Sequence, residues 1–130
     1  MTKADRIKYW VEISKYDLVT AKAMLETKRY LYVGFMCHQA VEKILKAYYS
    51  KVKNELPPYI HNLIRLAELS GIIKDLDRNQ LSFLDFMMPL NIKARYPDYK
   101  DKIFKSLNKN KSQELFSDTK EFIEWVKKKL

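Results

Sequence analysis

The stretch Met36-Cys37-His38-Gln39-Ala40-Val41-Glu42-Lys43-Ile44-Leu45-Lys46-Ala47 decides the reading of this chain. It has the three- and four-residue apolar spacing of a helix with one apolar side. Within two to three turns it also carries an imidazole, an amide, a carboxylate and two ammonium groups. A surface helix has no need of a histidine beside its apolar stripe. His38 and Glu42 stand four apart and share a face, Gln39 and Lys43 share the next, and Glu42 faces Lys46. The Glu42–Lys46 spacing is equally that of an ordinary stabilising helix pair, worth a few tenths of a kcal/mol.

Working outward, the helix extends over about Tyr32 to Lys53, with Phe35, Met36, Gln39, Ala40, Lys43, Ile44, Ala47 and Tyr48 on its stripe. Pro57-Pro58 cannot continue it, and Leu56 before them is pushed to extended geometry. Upstream, Trp10, Ile13, Tyr16 or Asp17, Ala21, Met24 and Leu25 predict a first helix from about Lys3 to Lys28, joined to the second through Thr27–Leu31. Downstream, a shorter helix starts near Tyr59 or His61 and reaches Ser70, where Gly71 is a natural stop. Asp77 is placed to cap a fourth through Met88, with Leu81, Leu84 and Met88 buried and Pro89 closing it. Leu115, Phe116, Thr119, Phe122, Ile123 and Val126 mark a last helix over Ser112–Lys129. Between these, Asn91–Tyr99 reads as irregular.

The fold class implied is all-α, an up-and-down antiparallel bundle of four to five helices forming one domain over residues 1–130. Two glycines in 130 residues are too few for a turn-rich β fold. One cysteine, Cys37, allows no intrachain disulfide and fits a reducing compartment. Lys3, Asp5, Arg6, Lys8 and Glu12 break any apolar leader, and no run approaches the length of a membrane span. A cytoplasmic protein is expected.

The formal net charge of +9 favours an acidic partner such as RNA, a nucleotide or an acidic protein. Arginine, the better phosphate fork, occurs only at Arg6, Arg29, Arg65, Arg78 and Arg95, so much of the charge is lysine solvating helix faces. Arg95 and Tyr96 stand together in the irregular segment. Arg95 could fork to two phosphate or carboxylate oxygens while Tyr96 stacks on a base. It could equally staple its loop to Asp17 or Glu42. Asp17, beside the stripe of the first helix, needs a partner there. No cysteine cluster, phosphate-binding loop or dinucleotide turn is present, the two histidines and Glu42 lack a recognised metal spacing, and no cofactor is called for.

Trp10, Asp17-Leu18 and Ala21, the segment His38–Ala47, then His61-Asn62-Leu63-Ile64-Arg65-Leu66 and Ala94-Arg95-Tyr96-Pro97 together resemble the HEPN domain family (higher eukaryotes and prokaryotes nucleotide-binding), in the family's order and over most of the chain. The resemblance implies a helical bundle that commonly forms a homodimer, a bacterial or archaeal setting, and a minimal nucleotidyltransferase encoded beside it as a toxin–antitoxin-like pair. It implies a nucleotide- or RNA-binding module. The residues that would carry binding are His38, Lys43, Lys46, His61, Arg95 and Tyr96, with Asp17 and Glu42 in support. Catalytic relatives share an arginine, four to six residues, then a histidine. None of the five arginines is followed by histidine in that window, so the alternative of a metal-independent ribonuclease loses its motif. A third reading is a non-catalytic dimeric interaction protein.

Overall fold

The computed structural model describes residues 1–91 and 105–130. The chain forms α1 (Lys3–Glu26), α2 (Tyr30–Lys53), α3 (Leu63–Ser70), α4 (Arg78–Met87) and α5 (Lys109–Lys127), with short 3₁₀ turns at Ile72–Asp75 and Met88–Leu90. No strand occurs among the described residues, and the fold is all-α. None of the described helices is long and apolar enough to cross a membrane.

The boundaries follow local chemistry. Thr2 and Asp5 form a reciprocal capping box at the start of α1, and Asp77 and Gln80 form another at α4. Gly71, at φ +83°, ends α3 in the left-handed region where only a residue without Cβ is at ease. Two starts differ from the sequence expectation because asparagine caps decide them. The Asn62 side chain accepts from the Arg65 amide, so α3 begins at Leu63 and leaves His61 outside it. Asn108 accepts from the Lys111 amide, so α5 begins at Lys109 and Ser112 lies buried within it. The first turn is also tighter than expected, with α2 starting at Tyr30 after Lys28 at φ +61°.

The larger correction concerns α2. It is not apolar on one side only. Val33, Cys37, Ala40, Val41, Ile44, Leu45 and Ala47 are wholly enclosed, and so are His38, Glu42 and Lys46 or nearly so. The cause is tertiary: α1, α5 and α3 all pack on α2, which is the centre of the bundle. α1 lies antiparallel to it, since Arg6 Nη2 donates to Asn54 Oδ1 at 3.2 Å and the Ser14 hydroxyl donates to the Ala40 carbonyl at 2.7 Å. α5 runs parallel to α2. Leu107, just before α5, packs on Gly34, where an added Cβ would stand 2.7 Å from Leu107 Cδ1. At the other end the Lys51 ammonium donates to the carbonyls of Lys129 and Leu130 at 2.7 and 3.0 Å.

On α1 the buried interior positions are Ser14 and Ala21, whose small side chains let its backbone come close to α2. Tyr16 is exposed and the half-buried Asp17 takes the inward place. On α4, Leu81 faces outward, and Met87 rather than Met88 is fully buried, because the chain tightens into the 3₁₀ segment from Met88. Of the irregular stretch expected at Asn91–Tyr99, only Asn91 lies within the described residues.

Candidate functional site

Glu42 is the hub of the polar cluster. Its position in the middle of α2 carries it under both α1 and the segment leading into α3. One carboxylate oxygen, Oε2, accepts from the Lys46 ammonium at 3.1 Å and lies 3.6 Å from the Lys43 ammonium. The other, Oε1, lies 2.9 Å from His61 Nδ1 and 3.9 Å from His38 Nδ1. Lys43 also donates to Gln39 Oε1 at 2.8 Å and stands 3.9 Å from Asp17 Oδ2. Gln39 passes the chain of contacts on, its Nε2 donating to Asn91 Oδ1 at 2.9 Å. Lys46 Nζ sits 5.5 Å from the centre of the Trp10 ring, within range of a cation–π attraction.

The structure therefore brings His38, Glu42, Lys43, Lys46, His61 and Asp17 into one cluster. Arg95 and Tyr96 lie outside the described residues, so the expected pairing of Arg95 with a phosphate, or with Asp17 or Glu42, lies outside them too. Lys43 is the described cation beside both of those carboxylates.

The cluster is close to dry. The Glu42 side chain is 1 % exposed, Lys46 6 % and Lys43 16 %. Burial alone would push the Glu42 carboxyl up. Lys43, Lys46 and the hydrogen bond from His61 outweigh it and hold the group below its ordinary value, so it stays ionised. Asp17 goes the other way. Burial raises it, Lys43 offsets part of that, and Glu42 raises it further. Among the described residues its cation, Lys43, is shared with Glu42.

The two histidines have opposite environments. His38 is fully enclosed, and neither ring nitrogen has a hydrogen-bond partner among the described residues. Burial drives it down to about 4, with the Glu42 charge opposing, so the ring is neutral near pH 7. His61 is 54 % exposed, and its Nδ1–H donates to the Glu42 carboxylate. That bond fixes the orientation of the ring. A buried carboxylate thus holds a half-exposed imidazole in place at the surface, with two ammonium groups behind it. Cys37 takes no part. It is buried and its thiol is pushed up to about 12, far from the reactive thiolate. Among the described residues no group of three or more His, Cys, Asp or Glu is placed to hold a metal ion.

Local pairs in this site are visible from spacing alone. The contacts that sequence reasoning missed are the long-range ones: Ser14 onto the Ala40 carbonyl, the Gln39–Asn91 link, and His61 folded back onto Glu42. A serine on the helix stripe, at a place where an aliphatic residue would fill the step, is the one signal that could have flagged the first.

No curated protein and no solved structure gives a significant match to the chain. The family model described as HEPN domain matches residues 7–129, from the first turns of α1 to the end of α5, and so takes in every element that builds the cluster. With the match spanning nearly the whole length and the helical bundle in place, the chain belongs to the HEPN domain family.

Proposed function

We propose that this protein is a nucleotide- or RNA-binding module of the HEPN type, acting as a homodimer with a minimal nucleotidyltransferase in a toxin–antitoxin-like pair. The observation that carries the binding role is the half-exposed His61, held by buried Glu42 with Lys43 and Lys46 behind it. A phosphate approaching here meets the half-exposed imidazole, already oriented by Glu42, with the field of the buried Lys43 and Lys46 behind it. Asn91, tied to Gln39 in the same network, precedes Arg95 and Tyr96 by four and five residues in the sequence. These two complete the proposed ligand set.

His38 supports the cluster from inside rather than touching ligand, since it is wholly enclosed and neutral. A ribonuclease reading has less behind it. The arginine–histidine spacing of the catalytic relatives is absent, and of the two imidazoles only His61 reaches the surface.

The test is a fluorescence titration with labelled ATP and a short labelled RNA, with His61→Ala, Arg95→Ala and wild type compared at low and raised salt. Saturable binding that weakens with salt, and falls about tenfold in either variant, is the expected result. No binding by wild type at low salt, alone or with a nucleotidyltransferase partner present, would overturn the proposal.

A further inference from the structure

α1 packs closely on α2 and only sparsely on α5, and the two outer helices leave a groove between them. This groove, about 270 Å³, uses the stripe of α1 next to the one that faces the Glu42 cluster. Leu18, Val19, Phe116 and Ile123 line it, and Ile44 of α2 closes the bottom. Val19 is 61 % exposed. An exposed aliphatic side chain is ordinary by itself, but here it continues a concave apolar strip with Leu18, Phe116 and Ile123. A second depression of about 380 Å³ shares Lys22 and Phe116 with the first and carries the groove on toward Leu25. From Val11 to Leu25 the strip follows α1 for about 21 Å, room for four turns of another helix.

The rim is mainly cationic, with Glu26 beside the second depression. Lys15, Lys22, Lys120 and Lys127 border the first depression against a single carboxylate, Glu124, which lies 3.6 Å from Lys127. Lys15, Lys22 and Lys120 form no ion pair or hydrogen bond among the described residues. The other edge of α5 has the opposite character: the cleft between α4 and α5 is bordered by Asp77, Glu114, Asp118 and Glu121. The α4 side of α5 thus carries more carboxylates than the α1 side, although Glu124 borders both and Lys111 stands 4.7 Å from the centre of the Phe86 ring of α4.

We infer that the α1–α5 groove is a docking site for an acidic amphipathic helix of a partner protein. An apolar floor with a cationic border matches a helix whose aliphatic stripe is flanked by Glu or Asp. Charge decides against the other occupants. A second copy seated symmetrically would set these lysines against their own equivalents. The carboxylates gathered most densely on this chain, Asp77, Glu114, Asp118 and Glu121, border a cleft, which cannot fill a groove, and a head-to-tail contact through scattered carboxylates is one of the outcomes tested below. RNA would find no arginine on the rim among the described residues, and of aromatic rings the partly buried Phe116 and Tyr30 among aliphatic side chains. The inference uses none of the residues assigned to the nucleotide site, so either can fail without the other.

The experiment uses the full chain and a fluorescein-labelled peptide of about 16 residues, built as an amphipathic helix with a leucine stripe flanked by glutamates. A second peptide carries lysines in place of the glutamates, and a labelled oligouridine forms a third arm. Saturable binding of the acidic peptide alone is expected, with amide shifts in NMR spectra confined to α1 and α5. Val19→Asp, at an exposed position that does not threaten folding, should weaken it about tenfold, and Lys15→Glu/Lys22→Glu/Lys120→Glu should weaken it at least as much. Circular dichroism checks that both variants keep their helix content. The inference is overturned by any of four results: no saturable binding of the acidic peptide, equal binding by the variants, oligouridine displacing the peptide from the same amides, or self-association that Val19→Asp abolishes.

Discussion

Glu42→Gln isolates what the buried carboxylate does for the fold, because it keeps the shape and one acceptor oxygen while deleting the charge. Lys46 and Lys43 lie 3.1 and 3.6 Å from Oε2 and are 6 % and 16 % exposed, so neither can turn to water without moving α2. Removing one member of a buried ion pair costs about 3–5 kcal/mol, mostly as the cost of the partner charge left behind. The amide oxygen still accepts one hydrogen bond and Asp17 still faces Lys43, which places the expected loss near the lower end, about 3 kcal/mol. For a domain of this size about 4 °C of melting temperature corresponds to 1 kcal/mol, so the variant should melt about 12 °C lower at pH 7. Thermal unfolding followed by far-UV circular dichroism measures it. Adding Lys46→Met to Glu42→Gln should restore more than half of the loss, since the stranded cation is then gone. A drop below about 4 °C, or a double variant no better than the single one, would mean that water reaches the lysines and that Glu42 does not organise the interior.

His38→Phe should be neutral or stabilising near pH 7, because neither ring nitrogen makes a hydrogen bond. The folded histidine titrates at about 4 against 6.5 in the open chain. Between these values the unfolded state binds the extra proton, so this group's contribution is intact above pH 6.5 and is lost as pH falls toward 4, about 3 kcal/mol in all. Urea denaturation at pH 7 and pH 4.5 should show His38→Phe losing less stability on acidification than wild type, and equal losses would refute the assignment. Ser14→Ala should cost about 1 kcal/mol through the lost bond to the Ala40 carbonyl, and Ser14→Leu about 3 kcal/mol by forcing α1 off α2. A leucine variant as stable as the alanine one would show that the two helices do not touch there.

The order and type of the helices are legible in the sequence because they rest on local chemistry: apolar steps of three and four, Asp77 as a cap, Gly71 and Pro57-Pro58 as stops. Spacing also exposes the pairs made within one helix, and Lys46 on Glu42 and Lys43 on Gln39 form as it indicates. Periodicity does not report how many neighbours a helix acquires. The stripe on α2 marks one face, yet three helices enclose it, so His38 and Lys46 pass from the border of a stripe to the interior. The same blindness hides contacts between distant residues. His61 meets Glu42 across 19 residues only because the chain doubles back before Asn62 caps α3. Nothing local to either residue encodes that meeting.

This division bears on how the basic character of the chain is read. A net charge of +9 suggests a cationic surface, and the lysines of the family segment look like its natural centre. Lys43 and Lys46 instead point inward, where they share Glu42, and their contacts with Asp17 and Trp10 join α2 to α1. A cation committed in this way adds little to the long-range field, because its counter-charge lies within 4 Å. Lysines with no ion pair among the described residues stand instead at Lys15, Lys22 and Lys120, away from the segment that identifies the family. Attraction of a distant acidic partner should therefore start along α1 and α5. Selection of a phosphate at the Glu42 cluster is a short-range matter, decided by the one histidine that reaches the surface.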